Sequence, residues 1–348
     1  MNSQKEQSFR QNRIYELDII RGFALIGIFL VNIFNFIQRA GIDSTLLPTG
    51  NWIDILVTGK FYAIFSLLFG AGAAIFIKRA NHNGKPSLLF IRRMVVLAVI
   101  GLLHAQVWGG DVLLPYALVG LVLFALHKIP SKALFIITFS LHMIGILVNV
   151  SAYDWLYGGK TNMPPTLDAL LLITALTSFL VYFIEGFTLM KMDALSKLQT
   201  RPPLHKWLLI VFGSISVISV TAQFMITDHK PAHILLIISQ LPLMLTYILL
   251  ILLLLKNKNG RAILYPLQAY GRMAMSNYLG QTVVGIFILP MFIHHFSPSI
   301  IIYGLCIFTW VIQIIMSNVW LKFFNYGPVE WVWRCFTYWH IVQLRKLN

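Results

Sequence analysis

Charged side chains are scarce in this chain of 348 residues. Asp, Glu, Lys and Arg make up 11% of the sequence, while hydrophobic residues make up 58%. A soluble globular domain has about 25% charged residues, so the composition excludes an ordinary soluble protein. A chain of this length and low charge is typical of an integral membrane protein that crosses the bilayer several times and has no large soluble domain.

Cysteine is also scarce, and the common catalytic motifs are absent from the sequence. Cys306 and Cys335 form no CxxC pair and no zinc-ligand spacing, which excludes a disulfide framework. The sequence contains no Walker A motif, GxGxxG, GxSxG or HExxH, which removes the obvious ATPase, nucleotide-binding and hydrolase classes. We therefore expect no metal site and no bound cofactor.

Apolar segments of roughly membrane-spanning length recur along the whole chain. A helix needs about 20 apolar residues to cross the hydrocarbon core of a bilayer. Ten segments approach this length, at residues 17–38, 53–78, 93–109, 112–127, 133–150, 168–190, 207–227, 232–255, 273–295 and 299–322. The sequence thus predicts an all-α fold, a polytopic membrane bundle of about ten transmembrane helices.

Basic residues fall mainly on one side of these segments. If the N-terminus is cytoplasmic, the cytoplasmic stretches hold 23 of the 27 Lys and Arg residues. The opposite side keeps only Arg39, Lys60, Lys160 and Lys230. This asymmetry follows the positive-inside rule and predicts that both termini are cytoplasmic. It also explains the net charge of +15 through contact with anionic lipid headgroups, and no motif indicates nucleic-acid binding.

The predicted spans divide the chain into three parts. A cytoplasmic tail covers residues 1–16, a single transmembrane bundle covers 17–322, and an amphipathic cytoplasmic segment covers 323–348. The polar stretch KLQTRPPLHK is a candidate linker inside the bundle, which would give halves at 17–190 and 207–322. No internal repeat relates the two halves.

Two ionisable residues interrupt the apolar stretch GLLHAQVWGGDVLLPYALVG. His104 and Asp111 are seven residues apart, on either side of the turn pair Gly109 and Gly110. Ionisable groups inside a membrane usually face the bundle interior or water, and a carboxylate that orients an imidazole is a general-base arrangement. We therefore predict His104 and Asp111 as catalytic residues. The alternative is an Asp that caps the next helix and a structural His.

Other polar residues in the spans are candidates for substrate binding. Asp18 and Arg21 are three residues apart on one helix face, so they can pair as an interfacial salt bridge or as an anion site at the cytoplasmic mouth. Asn277 and Gln281 are four apart on one face and either bind substrate or hydrogen-bond between helices. The remaining candidates are Asn32, Arg92, Glu185 and Arg272.

Five ordered blocks of the sequence resemble the YeiB family of bacterial multi-pass membrane proteins, whose function is uncharacterised. The blocks are LDIIRGFALIGIFLVNI, FSLLFGAGAAI, RRMVVLAVIGLLHAQVWGGDVLLPYALVGL, GRMAMSNYLGQT and GPVEWVWR. The family's Arg-Arg, Gly-x-x-His and Gly-Asp pattern matches Arg92, Arg93, Gly101, His104, Gly110 and Asp111. Its Leu-Asp-x-x-Arg-Gly opening matches Leu17, Asp18, Arg21 and Gly22. The resemblance implies a location in the bacterial plasma membrane.

The block LDIIRGFALIGIFLVN also looks like the first helix of the transmembrane acyltransferase superfamily, which includes the lysosomal heparan glucosamine N-acetyltransferase. Those proteins use a cytoplasmic acyl-CoA to acylate sugars on the far side of the membrane. In that acetyltransferase the catalytic His follows the first helix, where this chain has AGIDSTLLPTGNWIDIL and no His. The resemblance therefore implies acyl-CoA as co-substrate and a glycan or lipid acceptor, with the role of the base passing to His104.

This hypothesis assigns a task to most of the candidates, although other functions remain open. Phosphates of the acyl-CoA would dock near Arg21, Arg92 and Arg272, and Asn32 or Gln281 would hold the oxyanion. A transporter or exporter of a small polar or lipid-linked metabolite would use many of the same polar groups inside the bundle. A non-catalytic membrane partner protein is the third possibility, and the oligomeric state is not evident from the sequence.

Overall fold

The computed structural model describes residues 14–41, 52–81, 86–292 and 298–346. Over these ranges the regular structure is helical, apart from one isolated antiparallel bridge between Phe324 and Arg345. The predicted all-α fold is therefore confirmed. Residues 1–13 of the predicted N-terminal tail and residues 42–51 of the first predicted external loop lie outside the described ranges.

The helices are labelled in chain order, and the described part of every predicted span falls on one helix or on consecutive helices. They are α1 Tyr15–Arg39, α2 Trp52–Leu56, α3 Lys60–Asn81, α4 Pro86–Val107, α5 Leu113–Ala125, α6 Ser131–Leu156, α7 Pro165–Lys191, α8 Ala194–Thr200, α9 Pro202–Met225, α10 His229–Leu254, α11 Lys258–Arg272, α12 Ala274–Val283, α13 Leu289–Phe292, α14 Pro298–Phe323 and α15 Pro328–Tyr338. A 3-10 turn, Leu126–Lys128, extends α5, and a π-helix, Val284–Ile288, joins α12 to α13.

Eight spans within the described residues are long and apolar enough to cross a membrane. A ninth, α7, meets the same criteria only as a pair of segments bent by 41°. The remaining predicted span, 112–127, corresponds to α5 with its 3-10 turn, which is apolar but shorter. The multi-pass architecture is thus confirmed, while the count of ten and the orientation stay predictions.

Helix α1 lies in the middle of the bundle. Of its most apolar 18-residue stretch, 72% is buried, against 17% for α6 and for α9. It packs against α3 and α11, and its approach to α11 is close because glycines meet there. A side chain at Gly271 would overlap the backbone of Asp18, and one at Gly22 would overlap the backbone of Leu267. The apolar outer faces of α6 and α9 are those expected to contact lipid.

Small residues also set the approach of α3 to α7. A side chain at Gly70 would overlap the backbone of Phe183, and one at Gly186 would overlap the backbone of Leu67. Close backbone approach at small residues is a common way for helices to associate in membranes, where lipid offers no hydrophobic driving force between them. This packing closes one side of the core around α1.

The C-terminal segment folds back onto the bundle. Helix α15 is amphipathic and packs on α4, where the indole N–H of Trp333 donates to the carbonyl of Arg93 over 2.8 Å. The chain after α15 returns antiparallel to the end of α14, where the N–H of Asn325 donates to the carbonyl of Leu344. The N-terminal half of α4 therefore packs against the C-terminal segment.

Candidate functional site

The turn between α4 and α5 brings His104 and Asp111 into contact. Nδ1 of His104 lies 2.7 Å from Oδ1 of Asp111, and the two side chains are 7% and 3% exposed. The two helices approach closely because residue 101 is glycine, where a side chain would overlap the backbone of Leu114. The contact that the sequence predicted between the imidazole and the carboxylate is present.

The Asp111 carboxylate has a second contact. Its Oδ2 accepts the backbone N–H of Leu114 over 2.9 Å, at the start of α5. Capping of α5 and orientation of His104, which the sequence left as alternatives, therefore occur together. Because an ionised carboxylate only accepts hydrogen bonds, it holds the proton of the imidazole on Nδ1 and leaves the lone pair of Nε2 free to accept.

Nε2 of His104 points at a hydroxyl group. It lies 3.0 Å from Oγ1 of Thr282, on α12. Thr282 is not among the site residues predicted from the sequence, and it lies 178 residues from His104 along the chain. The only available signal was its place in the polar half of its span beside Gln281, and that signal does not identify a partner.

Aromatic rings surround the imidazole. The rings of Trp108 and Tyr278 stand edge-on to that of His104, with centroids 5.8 and 5.3 Å away. The phenol oxygen of Tyr278 also accepts the backbone N–H of Val112, over 3.4 Å. The ring of His104 is thus flanked by aromatic side chains, although Gly109 and Gly110 at the tip of the same hairpin are exposed.

A cavity of about 160 Å³ leads into the bundle from the end of α4 that is predicted to be cytoplasmic. Its mouth is lined by four arginines, Arg21, Arg93, Arg272 and Arg334. Its inner part reaches Leu97 and Leu113, which are apolar. Leu113 is two residues from Asp111, whereas Leu97 is two helical turns, roughly 10 Å, from His104 along α4. The lining thus includes chain neighbours of the imidazole pair, but neither His104 nor Asp111 itself.

The predicted anion-binding arginines are only partly in this mouth. Arg21 lines it and pairs with Asp18 over 2.9 Å, as the spacing predicted, and Arg272 also lines it. Arg92 does not, because its guanidinium lies over the ring of Trp339, 5.4 Å from the centroid. Successive residues of a helix point about 100° apart, so Arg92 and Arg93 face different neighbours. It is Arg93 that lines the cavity.

The Arg93 guanidinium lies over two aromatic rings. It lies 3.7 Å from the centroid of Trp333 and 5.1 Å from that of Phe76. Cation–π contacts of this kind hold a guanidinium in place without neutralising it. The position of Arg93 therefore depends on α15, which the sequence did not connect with α4.

Glu330 is the carboxylate at the mouth. It caps α12, accepting from the N–H groups of Met275 and Ser276 over 2.7 and 3.2 Å and from the Ser276 hydroxyl over 2.6 Å. Burial raises the pKa of the Glu330 carboxyl, although the hydrogen bonds from Ser276 and Met275 act in the opposite direction. The hydrogen bonds of Glu330 therefore connect the C-terminal segment to α12, the helix that carries Thr282.

Asn277 and Gln281 serve the packing of α12 in this structure. The amide of Asn277 donates to the Tyr270 carbonyl over 2.9 Å and to the Ser317 hydroxyl over 3.0 Å. The amide of Gln281 donates to the Tyr270 hydroxyl over 2.8 Å. These are interhelical hydrogen bonds, one of the two alternatives predicted from the sequence for Asn277 and Gln281. The predicted oxyanion contact for Gln281 stays a prediction.

Asn32 and Glu185 have partners elsewhere in the bundle. The side-chain oxygen of Asn32 accepts the Tyr62 hydroxyl. Oε1 of Glu185 lies 2.6 Å from Nε2 of His142, between α6 and α7. Its Oε2 is buried and has no hydrogen-bond partner among the described residues. Glu185 therefore belongs to a second polar cluster, and among the described residues no group of three or more His, Cys, Asp or Glu is placed to hold a metal ion.

Comparison with known proteins gives relatives that cover most of the chain. The profile of a family described as "Protein of unknown function (DUF418)" matches residues 189–340. An uncharacterized 39.9 kDa protein encoded in the amylase 3' region of Bacillus acidopullulyticus is 31% identical, over 94% of each chain. The uncharacterized protein YxaH of Bacillus subtilis (strain 168) is 28% identical, over 97% of each chain. The uncharacterized protein YeiB of Escherichia coli (strain K12) is 26% identical, over 92% of this chain and 95% of its own.

Proposed function

The chain belongs to the YeiB-like family of proteins of unknown function, and we propose that it is an acyltransferase of the bacterial plasma membrane. In this proposal it moves an acyl group from a cytoplasmic acyl-CoA to an extracytoplasmic or lipid-linked acceptor. The observation that carries the proposal is the buried pair of His104 and Asp111, 2.7 Å apart, ahead of a cavity with four arginines at its mouth.

The cavity supports an anionic donor with a long, narrow acyl-bearing arm. Guanidinium groups are well suited to phosphate because they present several N–H donors in one plane. The four arginines at the mouth come from four different helices, namely Arg21 on α1, Arg93 on α4, Arg272 on α11 and Arg334 on α15. A volume of about 160 Å³ is smaller than a typical site for a whole ligand, roughly 300–1,000 Å³. The nucleotide would therefore stay at the surface while the thioester arm enters.

The imidazole supports the proton transfer that acylation needs. Asp111 keeps the proton of His104 on Nδ1, so Nε2 is free to accept a proton from an attacking hydroxyl. When His104 becomes charged, the carboxylate 2.7 Å away stabilises the imidazolium. Burial of both side chains strengthens this interaction because there is little water to screen it.

The test compares whole-cell acylation in a strain that lacks the gene. Untargeted mass spectrometry of lipids and envelope glycans is carried out on the deletion strain complemented with the wild type, with His104→Gln or with the control His340→Gln. His340 is exposed, in the C-terminal segment. An acylated species should be lost on deletion and restored by the wild type and by the control, but not by His104→Gln at equal membrane abundance. Restoration by His104→Gln would refute the proposal.

Transport is a second candidate, and it has its own supporting observation. The pair of His142 and Glu185 lies between membrane helices with a buried carboxylate oxygen, and α7 is bent by 41°. Ionisable groups and discontinuous helices at membrane depth are typical of transporters. If the protein is a transporter, Glu185→Gln should fail to restore the wild-type mass-spectrometric profile in the deletion strain, while His104→Gln should restore it. This is the opposite of the pattern expected for acyl transfer.

A further inference from the structure

The hydroxyl of Thr282 completes a line of three side chains. Oδ1 of Asp111 contacts Nδ1 of His104 over 2.7 Å, and Nε2 of His104 contacts Oγ1 of Thr282 over 3.0 Å. Thr282 is 3% exposed. Carboxylate, imidazole and hydroxyl follow in the order that activates a nucleophile, with each ring nitrogen facing the correct neighbour.

We propose that Thr282 is the nucleophile of the reaction and carries the acyl group as a covalent ester between donor and acceptor. The inference rests on the proposed function, because it assigns the first acceptor of the acyl group within the same site. It changes the role of His104, which then activates Thr282 before it activates the external acceptor.

The orientation of the Thr282 hydroxyl differs from that of other threonines in the bundle. A threonine in a helix commonly donates to the carbonyl four residues earlier. Thr138, Thr246 and Thr309 do so over 3.1, 2.8 and 2.6 Å. Thr282 is 3.4 Å from the carbonyl of Tyr278, and its shorter contact is with the imidazole. The hydroxyl therefore keeps a long hydrogen bond to its own helix, while its closer neighbour is the imidazole of His104.

The backbone after Thr282 is irregular. Helix α12 ends one residue later, at Val283, and a π-helix follows over Val284–Ile288. Single π-turns inside α-helices occur frequently at functional sites. This change of helix type lies next to Thr282, on the helix that Glu330 caps at its other end.

The first half of the reaction forms the ester on Thr282. The Thr282 oxygen attacks the thioester carbonyl while its proton passes to Nε2 of His104. Collapse of the tetrahedral intermediate breaks the carbon–sulfur bond, and the sulfur leaves with the proton from His104 as the CoA thiol.

The second half transfers the acyl group onward. An acceptor hydroxyl gives its proton to Nε2 of His104 and attacks the Thr282 ester. Collapse breaks the bond to Thr282, whose oxygen recovers the proton. One thioester is consumed, one ester is formed and CoA is released as a thiol, so neither an oxidant nor a reductant is needed.

A covalent intermediate suits a donor and an acceptor that come from opposite sides of the membrane. The CoA thiol can leave through the basic mouth before the acceptor enters near the exposed tip at Gly109 and Gly110. A single imidazole then serves both halves of the reaction. The two substrates never need to occupy the buried site together.

The test uses a probe that needs no knowledge of the substrates. An alkyl fluorophosphonate forms a stable ester with a serine that an imidazole activates. The full-length chain in lipid nanodiscs is treated with this probe as Thr282→Ser, as Thr282→Ser with His104→Gln, and as the matched control Thr309→Ser. Peptide mass spectrometry should find the label at position 282, and about a hundredfold less of it when His104 is replaced by Gln. Equal labelling of Thr282→Ser and Thr309→Ser would overturn the inference.

The cellular assay separates this inference from the proposed function. In the complemented deletion strain, Thr282→Ser should retain the acylated product and Thr282→Val should lose it, while the control Thr309→Val behaves as wild type. If Thr282→Val keeps the wild-type level while His104→Gln has none, direct transfer by His104 stands and the covalent role of Thr282 is refuted. If both variants keep the wild-type level, the proposed function fails as well.

Discussion

Asp111→Asn separates the two contacts of one carboxylate. In the wild type, Oδ2 accepts the N–H of Leu114 over 2.9 Å and Oδ1 faces Nδ1 of His104 over 2.7 Å. Asparagine has a single acceptor oxygen and an amide that donates. If the oxygen keeps the cap, the amide faces Nδ1 and holds the imidazole in the opposite tautomer, with the proton on Nε2.

Asp111→Asn should have a small effect on stability and a large effect on activity. Asn caps a helix about as well as Asp, so the free energy of unfolding should fall only by the lost charge-assisted hydrogen bond, about 1.5–3 kcal/mol. Activity should fall about 10⁴-fold, because the wrong tautomer cannot accept a proton at Nε2. The double variant with His104→Gln should be no less active than His104→Gln alone, since both remove the same step.

The measurement combines product formation in the complemented strain with thermal unfolding of the purified protein in detergent. The unfolding temperature of Asp111→Asn should be only slightly lower than that of the wild type, and the variant should form almost no product. If it forms product within about threefold of the wild type, a difference under 1 kcal/mol, the carboxylate is only a cap. The assignment of His104 as a base oriented by Asp111 would then be wrong.

Three further predictions concern topology, the donor and pH. Single cysteines introduced at 197–206 should be protected from an impermeant reagent added outside and those at 153–165 should react, and the reverse pattern would overturn the orientation. Arg93→Ala should weaken the binding of acyl-CoA about tenfold or more in isothermal titration, while Arg92→Ala should bind as the wild type does; equal losses would show that the cavity mouth is not the site. Because burial raises the pKa of Glu330, the folded state favours the protonated carboxyl, so its contribution to stability is largest below its unfolded pKa and is lost as pH rises through the folded value. The unfolding temperature of Glu330→Gln should therefore fall less with rising pH than that of the wild type, and identical slopes would contradict this.

The membrane character and the positions of the helices were predictable because they depend on local composition. A helix satisfies its backbone hydrogen bonds within one segment, so an apolar stretch of sufficient length specifies a spanning helix wherever it packs. Two side-chain pairs were predictable for a similar reason. Asp18 and Arg21 are one helical turn apart. His104 and Asp111 lie on either side of a short turn, which keeps their side chains close together.

The partners of the site that come from distant helices were decided only by the tertiary structure. Thr282 reaches His104 because of the rotation of α12 in the bundle, and Arg93 enters the cavity in place of Arg92 because of the rotation of α4. Rotation depends on how backbones approach at glycines such as Gly101 and on the contact with Trp333 of the C-terminal segment. A sequence specifies which residues share a helix face, but the neighbour of that face is chosen by packing among all the helices at once.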